Sequence, residues 1–218
     1  MSVIFSQALM GFLSSEAQVK EAVTWVEGGN FKRKDGRNIE GAKLTANDRQ
    51  TAIKAFVELP GESREKKEKL VHDELERDKS EKGKLFELTC YALLPDAERK
   101  AEVWERALDR EGKLSFYEHK ALMEGFWSVK QGALLQNYFN KFVEAIPDIA
   151  NRGDKDFVKN FLFGMCPAYG VDDEYIERLK KAGSEFSDVK YDSFQRALND
   201  LVVAKQRSKP IRDFSKSA

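Results

Sequence analysis

The chain has 218 residues, 41% hydrophobic and 34% charged, which is a globular composition long enough to bury a sizeable core and unlike that of a disordered protein. Its 37 basic and 37 acidic residues cancel, so the basic surplus of a nucleic-acid binder is missing and no nucleic-acid partner is expected. No apolar run approaches the roughly 20 residues that cross a bilayer, and Cys90 and Cys166 form neither a CxxC pair nor a disulfide framework, so two buried thiols in a reducing, cytoplasmic setting are expected.

The first ten residues are apolar but lack a basic n-region and a small-residue cleavage site, so they read as a helix and not as a signal peptide. A helix over 14–27 follows. The stretch from Gly28 to Asn38 is rich in turn formers and charge, and predicts a charged surface loop near 28–42. Its basic cluster, Lys32, Arg33, Lys34 and Arg37, is read as solvated, with contact to a partner or anion as the alternative.

Helical spacing then dominates. Ile53, Phe56, Val57 and Leu59 mark a helix that Thr45 or Asn47 is placed to cap and Pro60-Gly61 to end. From Ser63 to Arg77 the only large apolar residues are Leu70, Val71 and Leu75, one narrow stripe on a solvated helix. Ser80 starts a helix with Leu85, Phe86, Leu88, Tyr91 and Leu94 on a broad face, and Pro95 breaks it. Residues 97–108 carry Val103, Trp104, Ala107 and Leu108 after an acidic first turn. Ser115 and Glu118 have capping-box spacing before Leu122, Met123 and Phe126. The most hydrophobic helix covers 131–146 and is expected to stop at Pro147. Asp154 or Lys155 begins the next, with Gly164 and Pro167 closing it, and helices over 171–182 and 191–206 complete the chain. No stretch alternates with a period of two, so strands are not expected.

Alternate helices begin near Thr45, Ser80, Ser115, Asp154 and Ser187, at spacings of 35, 35, 39 and 33 residues. One helix pair cannot cover its apolar stripe but stacked pairs can. The reading is therefore an all-α, HEAT-like α-solenoid of antiparallel helix pairs, with residues 1–218 forming a single helical-repeat domain.

Chemistry is sparse. His72 and Glu76 share a helix face at i, i+4, but the second histidine of HExxH is missing and one His with one carboxylate cannot complete a zinc site. The pair reads as an exposed ion pair. His119 lies between charges with no nucleophile beside it in sequence. Neither phosphate-binding glycine motif occurs. The aromatics Phe126-Trp127, Tyr138-Phe139, Phe157, Phe161 and Phe163 recur at helical spacing and read as core. No catalytic, cofactor-binding or metal-binding residue is assigned.

The segment Ala92-Leu93-Leu94-Pro95-Asp96-Ala97-Glu98-Arg99-Lys100-Ala101-Glu102-Val103-Trp104 resembles the ALP-x-AE-x-K-x-x-x-W stretch of the C-terminal domain in aminopeptidase N-type zinc aminopeptidases. Glu124-Gly125-Phe126-Trp127, Leu134-Leu135 with Tyr138, and Ile146-Pro147-Asp148-Ile149 resemble the GFW…LL..Y…..PDI/V stretch of the same helical domain. Ala8-Leu9-Met10-Gly11 and Trp25-Val26-Glu27-Gly28-Gly29 are similar to an earlier helix pair of that domain. The resemblance runs in order from about residue 5 to about residue 207.

It implies a HEAT-like domain that arches over a catalytic domain, closes a peptide chamber and limits substrate length. Zinc, HExxH and GxMEN belong to the catalytic part and have no counterpart here. The implied partners are that catalytic domain, in the same polypeptide or in another subunit, and a peptide substrate. A basic residue facing the chamber could meet a peptide carboxylate; Lys130, Arg152 and Lys155 are the candidates, with surface solvation the plainer role for each. The alternative is a free-standing scaffold or assembly subunit derived from such a domain, motivated by the initiator-like Met1 and the missing catalytic motifs.

Overall fold

The computed structural model describes residues 15–184, apart from 34, 110, 111, 153 and 168, together with Met10, Leu13 and positions 195, 196, 199, 202 and 203. It is an all-α protein with one short hairpin. The expected helices over 1–10 and 191–206, and the Ser187 start, lie outside the described residues or almost so. Among the described residues no helix is long and apolar enough to cross a membrane. Two compact units can be distinguished, Met1–Pro95 and Asp96–Ala218.

In the first unit α1 (Glu16–Gly28) starts on a capping box, Ser15 with Gln18, and ends on left-handed Gly29. The segment expected to be a loop is instead an antiparallel hairpin, β1 (Asn30–Lys32) with β2 (Asn38–Lys43). The three residues of β1 are too few to show alternation, and in β2 the apolar Ile39 and Ala42 lie three apart and not two. What holds the strands is Phe31, buried with its ring centroid 5.6 Å from that of Trp25, and buried Ala42 and Leu44. Gly36 supplies the positive φ of the turn, and the Arg33 amide donates to the Arg37 carbonyl at 2.8 Å. The Arg37 guanidinium forks onto Asp35, so part of the basic cluster is neutralised locally.

Helices α2 (Ala46–Val57), α3 (Arg64–Arg77) and α4 (Glu81–Leu93) follow, capped by Thr45, Ser63 and Ser80. Helix α2 packs on α1, α3 and α4. The polar helix α3 holds a surprise: its buried face is Lys67, Leu70 and Glu74. Lys67, 2% exposed, donates to the Leu59 carbonyl just past α2, and burial pushes its ammonium below the ordinary lysine range. Glu74, 1% exposed, accepts a guanidinium fork from Arg49 at 2.7 and 3.0 Å. On α4, a Cβ at Gly83 would fall 1.8 Å from the Asp78 carbonyl oxygen, so the tight entry to this helix requires glycine.

In the second unit, α5 (Ala97–Leu108) is capped by Asp96 and α6 (Phe116–Glu124) by the Ser115–Glu118 box. A 3-10 turn (Val129–Gln131) leads into α7 (Gly132–Ala150). Asp154 caps α8 (Lys155–Met165), and α9 (Asp173–Ser184) follows. Helix α6 packs on α5 and α8, and α7 on α8 and α9.

Three sequence readings change here. Helix α7 does not stop at Pro147 but runs on to Ala150. Pro147 removes one intrahelical donor near the helix end, and burial of Ile146, Ile149 and Ala150 outweighs that loss. Gly164 does not terminate α8; it lies in its last turn, where a Cβ would come within 3.0 Å of Met123. Phe163, expected in the core, is exposed. Phe126, Tyr138 and Phe161 pack as expected around Trp104, whose ring centroid lies 5.9, 5.4 and 6.2 Å from theirs, whereas Trp127 and Phe157 are half-buried. Cys90 and Cys166 are buried free thiols.

Candidate functional site

The residues that carry the family resemblance in the second unit meet in its core. Lys100, fully buried on α5, donates to the Phe126 carbonyl at 2.6 Å and the Gly125 carbonyl at 3.3 Å, just past α6. Its ammonium also lies 5.3 Å from the Phe126 ring centroid. The Trp127 indole donates to the Met165 carbonyl at 3.1 Å. These residues are structural: Lys100 and the rings of Trp104, Phe126, Trp127 and Tyr138 tie α5, α6, α7 and α8 together.

One feature with room for a ligand lies where the C-terminal ends of α5 and α7 meet the N-terminal ends of α6 and α8. A cleft of about 820 Å³ opens there, with the carboxylates of Asp109, Asp148, Asp154 and Asp156 and the side chains of Leu114, Phe116, Phe157, His119, Arg152 and Asn160 in its lining. Each residue has a local reason to be there. Asp109 ends α5 in the left-handed region and its carboxylate accepts from the Lys113 and Leu114 amides, which shapes the loop. One Asp154 oxygen accepts from the Asp156 and Phe157 amides as the α8 cap.

His119 is buried, stacked on Phe157 with centroids 4.8 Å apart. Its Nε2 faces the Ala107 carbonyl at 2.6 Å and its Nδ1 the Asn160 amide nitrogen at 3.1 Å. A carbonyl only accepts, so Nε2 carries the proton and Nδ1 accepts from Asn160. Burial, partly opposed by the hydrogen bond to Ala107, holds the imidazole below its ordinary pKa. A neutral ring with both nitrogens engaged is a brace between α5, α6 and α8, not a free proton acceptor. Sequence reading placed His119 merely between charges. The missed signal was its spacing of three and four residues from Leu122 and Met123 on the same buried face.

Of the three cations considered for a peptide carboxylate, Arg152 lines this cleft, but its guanidinium donates to the Leu108 and Asp109 carbonyls, meets Asp148 at 3.5 Å and lies 4.6 Å from the Phe157 ring centroid. It is an anchor for the end of α5, not a solvated surface charge. Lys130 is half-buried in the 3-10 turn, away from the cleft lining, and the Lys155 side chain lies outside the described residues. His72 is exposed and Glu76 pairs with Lys79 at 2.9 Å, in place of the expected His72–Glu76 pair. That hydrogen bond holds the Glu76 carboxyl below its usual range. Among the described residues no three His, Cys, Asp or Glu side chains converge to hold a metal ion.

This all-α arrangement defines a helical protein whose recognisable sequence motifs are core residues. No family model matches the chain. A stretch of 105 residues, 48% of the chain, is 30% identical to an aminopeptidase N of Streptomyces lividans and covers 12% of that protein. The chain is thus similar to a small part of an aminopeptidase.

Proposed function

We propose that this chain is a non-catalytic helical portion of a zinc aminopeptidase, equivalent to its C-terminal domain. In this reading it docks against a catalytic domain that supplies the zinc, covers it, and shapes the chamber from which N-terminal residues of peptides are removed. The observation that carries it is the 30% identity over 105 residues to an aminopeptidase N. The meeting of Lys100, Trp104, Phe126 and Tyr138 in one core supports it, since a shared packing scheme is what a shared domain would retain.

The helix pairs are read as degenerate HEAT-like repeats. The helices that begin at Thr45 and Ser80 pack on each other within the first unit, and those that begin at Ser115 and Asp154 within the second. Packing of alternate helices is how repeats bury a continuous stripe.

The test is an immunoblot of source-cell lysate with antibodies raised to this chain. A band several times heavier than 24.9 kDa, enriched together with zinc-dependent aminopeptidase activity, is the expected result. A band at 24.9 kDa that never co-purifies with such activity would replace this reading with that of an independent helical scaffold.

A further inference from the structure

The geometry points to the cleft between the ends of α5, α6, α7 and α8 as a docking site for a peptide segment that inserts a lysine or arginine side chain. The inference does not depend on the aminopeptidase reading, because every residue it uses lies in this chain's second unit.

Charge argues for a cation. The described lining holds four carboxylates, Asp109, Asp148, Asp154 and Asp156, against one guanidinium, that of Arg152, which is already committed to two backbone carbonyls and to Asp148. His119 adds no charge in its neutral, buried form. The two helix N-termini at the cleft would attract an anion if open, but Ser115 and Asp154 side chains already occupy their amides. The carboxylates do not converge in a trio fit for a metal ion. Such spread-out charge suits an organic cation with several N–H donors. Asp109 spends both oxygens on the backbone and Asp148 already faces the Arg152 guanidinium at 3.5 Å, so exposed Asp156 is the carboxylate best placed to receive those donors, with Asp148, still 65% exposed, as the second.

Apolar surface argues for a long stem behind that cation. Leu114, Phe116 and Phe157 line the same cleft. Phe116 is 51% exposed and its neighbour Tyr117 is 68% exposed, their rings edge to face at 5.6 Å on the first turn of α6. Phe116, a large aromatic left in water in the lining of an acidic cleft and braced by the Tyr117 ring, offers a shelf for the methylenes of lysine or arginine and a ring face for the cationic head. Metal ions and short ammonium ions make no use of that shelf, whereas a basic side chain on a peptide uses both halves.

The experiment is a titration of the whole 218-residue chain with the peptide acetyl-Gly-Ala-Lys-Phe-Gly-amide, followed by amide proton–nitrogen correlation spectra. Its norleucine and glutamate counterparts are the controls. Expected are saturable shifts centred on Phe116, Asp156 and Phe157 with the lysine peptide, and their loss at about 0.5 M salt. Asp148→Asn with Asp156→Asn should weaken binding about tenfold, as removal of two exposed charge contacts would. Asp156→Asn alone, at an exposed position, gives a partial loss with the far-ultraviolet dichroism unchanged. Equal binding of the norleucine peptide, preference for the glutamate peptide, shifts centred elsewhere, or no saturable shift at all would overturn the proposal.

Discussion

In the Met1–Pro95 unit the polar helix α3 turns Lys67 and Glu74 inward beside Leu70, and an ion pair with Arg49 completes the packing. In the Asp96–Ala218 unit the corresponding space is filled by rings around Trp104. Yet one device is common to both. Lys67 and Lys100 each lie four residues past a helix cap, Ser63 and Asp96, and each sends a buried ammonium to carbonyls left open past the end of another helix. Lys67 reaches back to the helix before it and satisfies one carbonyl. Lys100 reaches forward to the helix after it and satisfies two. The orphan carbonyls of a helix end need donors wherever water is excluded, and a lysine on a neighbouring helix serves in either chain direction.

The comparison is most easily broken at Trp104. Trp104→Ala should cost about 3–5 kcal/mol by opening a cavity among the rings. Hydrogen exchange should then accelerate across 96–184 more than across 15–95; uniform acceleration would mean that the two units unfold as one. Next is Glu74→Ala, expected to cost about 3 kcal/mol by stranding Arg49, with Arg49→Met added to it recovering much of the loss. A urea midpoint shifted no more than for a surface substitution would remove the ion pair from this account.

Lys100→Met and Lys67→Met sharpen the shared device. They should cost about 2 and about 1 kcal/mol, since two carbonyls lose a donor in one case and one in the other, while relief of ammonium desolvation offsets part of each. A larger loss for Lys67→Met in chemical denaturation would invert the ranking.

The smallest effect concerns pH. Because burial holds the folded pKa of His119 below the ordinary histidine value of about 6.5, the unfolded chain binds the proton more readily. Stability contributed by the neutral ring is therefore full above the unfolded value and lost as pH falls toward the folded one, with a slope of at most about 1.4 kcal/mol per pH unit. His119→Gln should flatten this part of the stability profile. An unchanged slope in denaturation measured from pH 7 downward would show that other groups set it.

What could be read from the chain follows from the range of the forces involved. The starts at Thr45, Ser80, Ser115 and Asp154 were visible because a cap is a bond between residues three apart or fewer. The aromatic core was visible because its spacing matches a helix face. The hairpin was not, since β1 has three residues, the apolar Ile39 and Ala42 of β2 lie three apart and not two, and Phe31 is kept in place by Trp25 on another element. The cleft was hidden for the same reason. Asp109 and His119 lie more than thirty residues before Arg152 and Phe157, and only the meeting of four helix ends makes the two pairs neighbours.

By itself, then, the sequence determined most of the described helices and their caps, which depend on local hydrogen bonding and apolar periodicity, and, through matched residues, the likeness to a small part of an aminopeptidase. Only the tertiary structure decided that Lys67, Lys100 and Glu74 are buried, that α7 runs through Pro147, and that an acidic, aromatic-edged cleft exists. Those outcomes depend on which distant carbonyl, ring or carboxylate comes within reach, and that depends on how the helices pack.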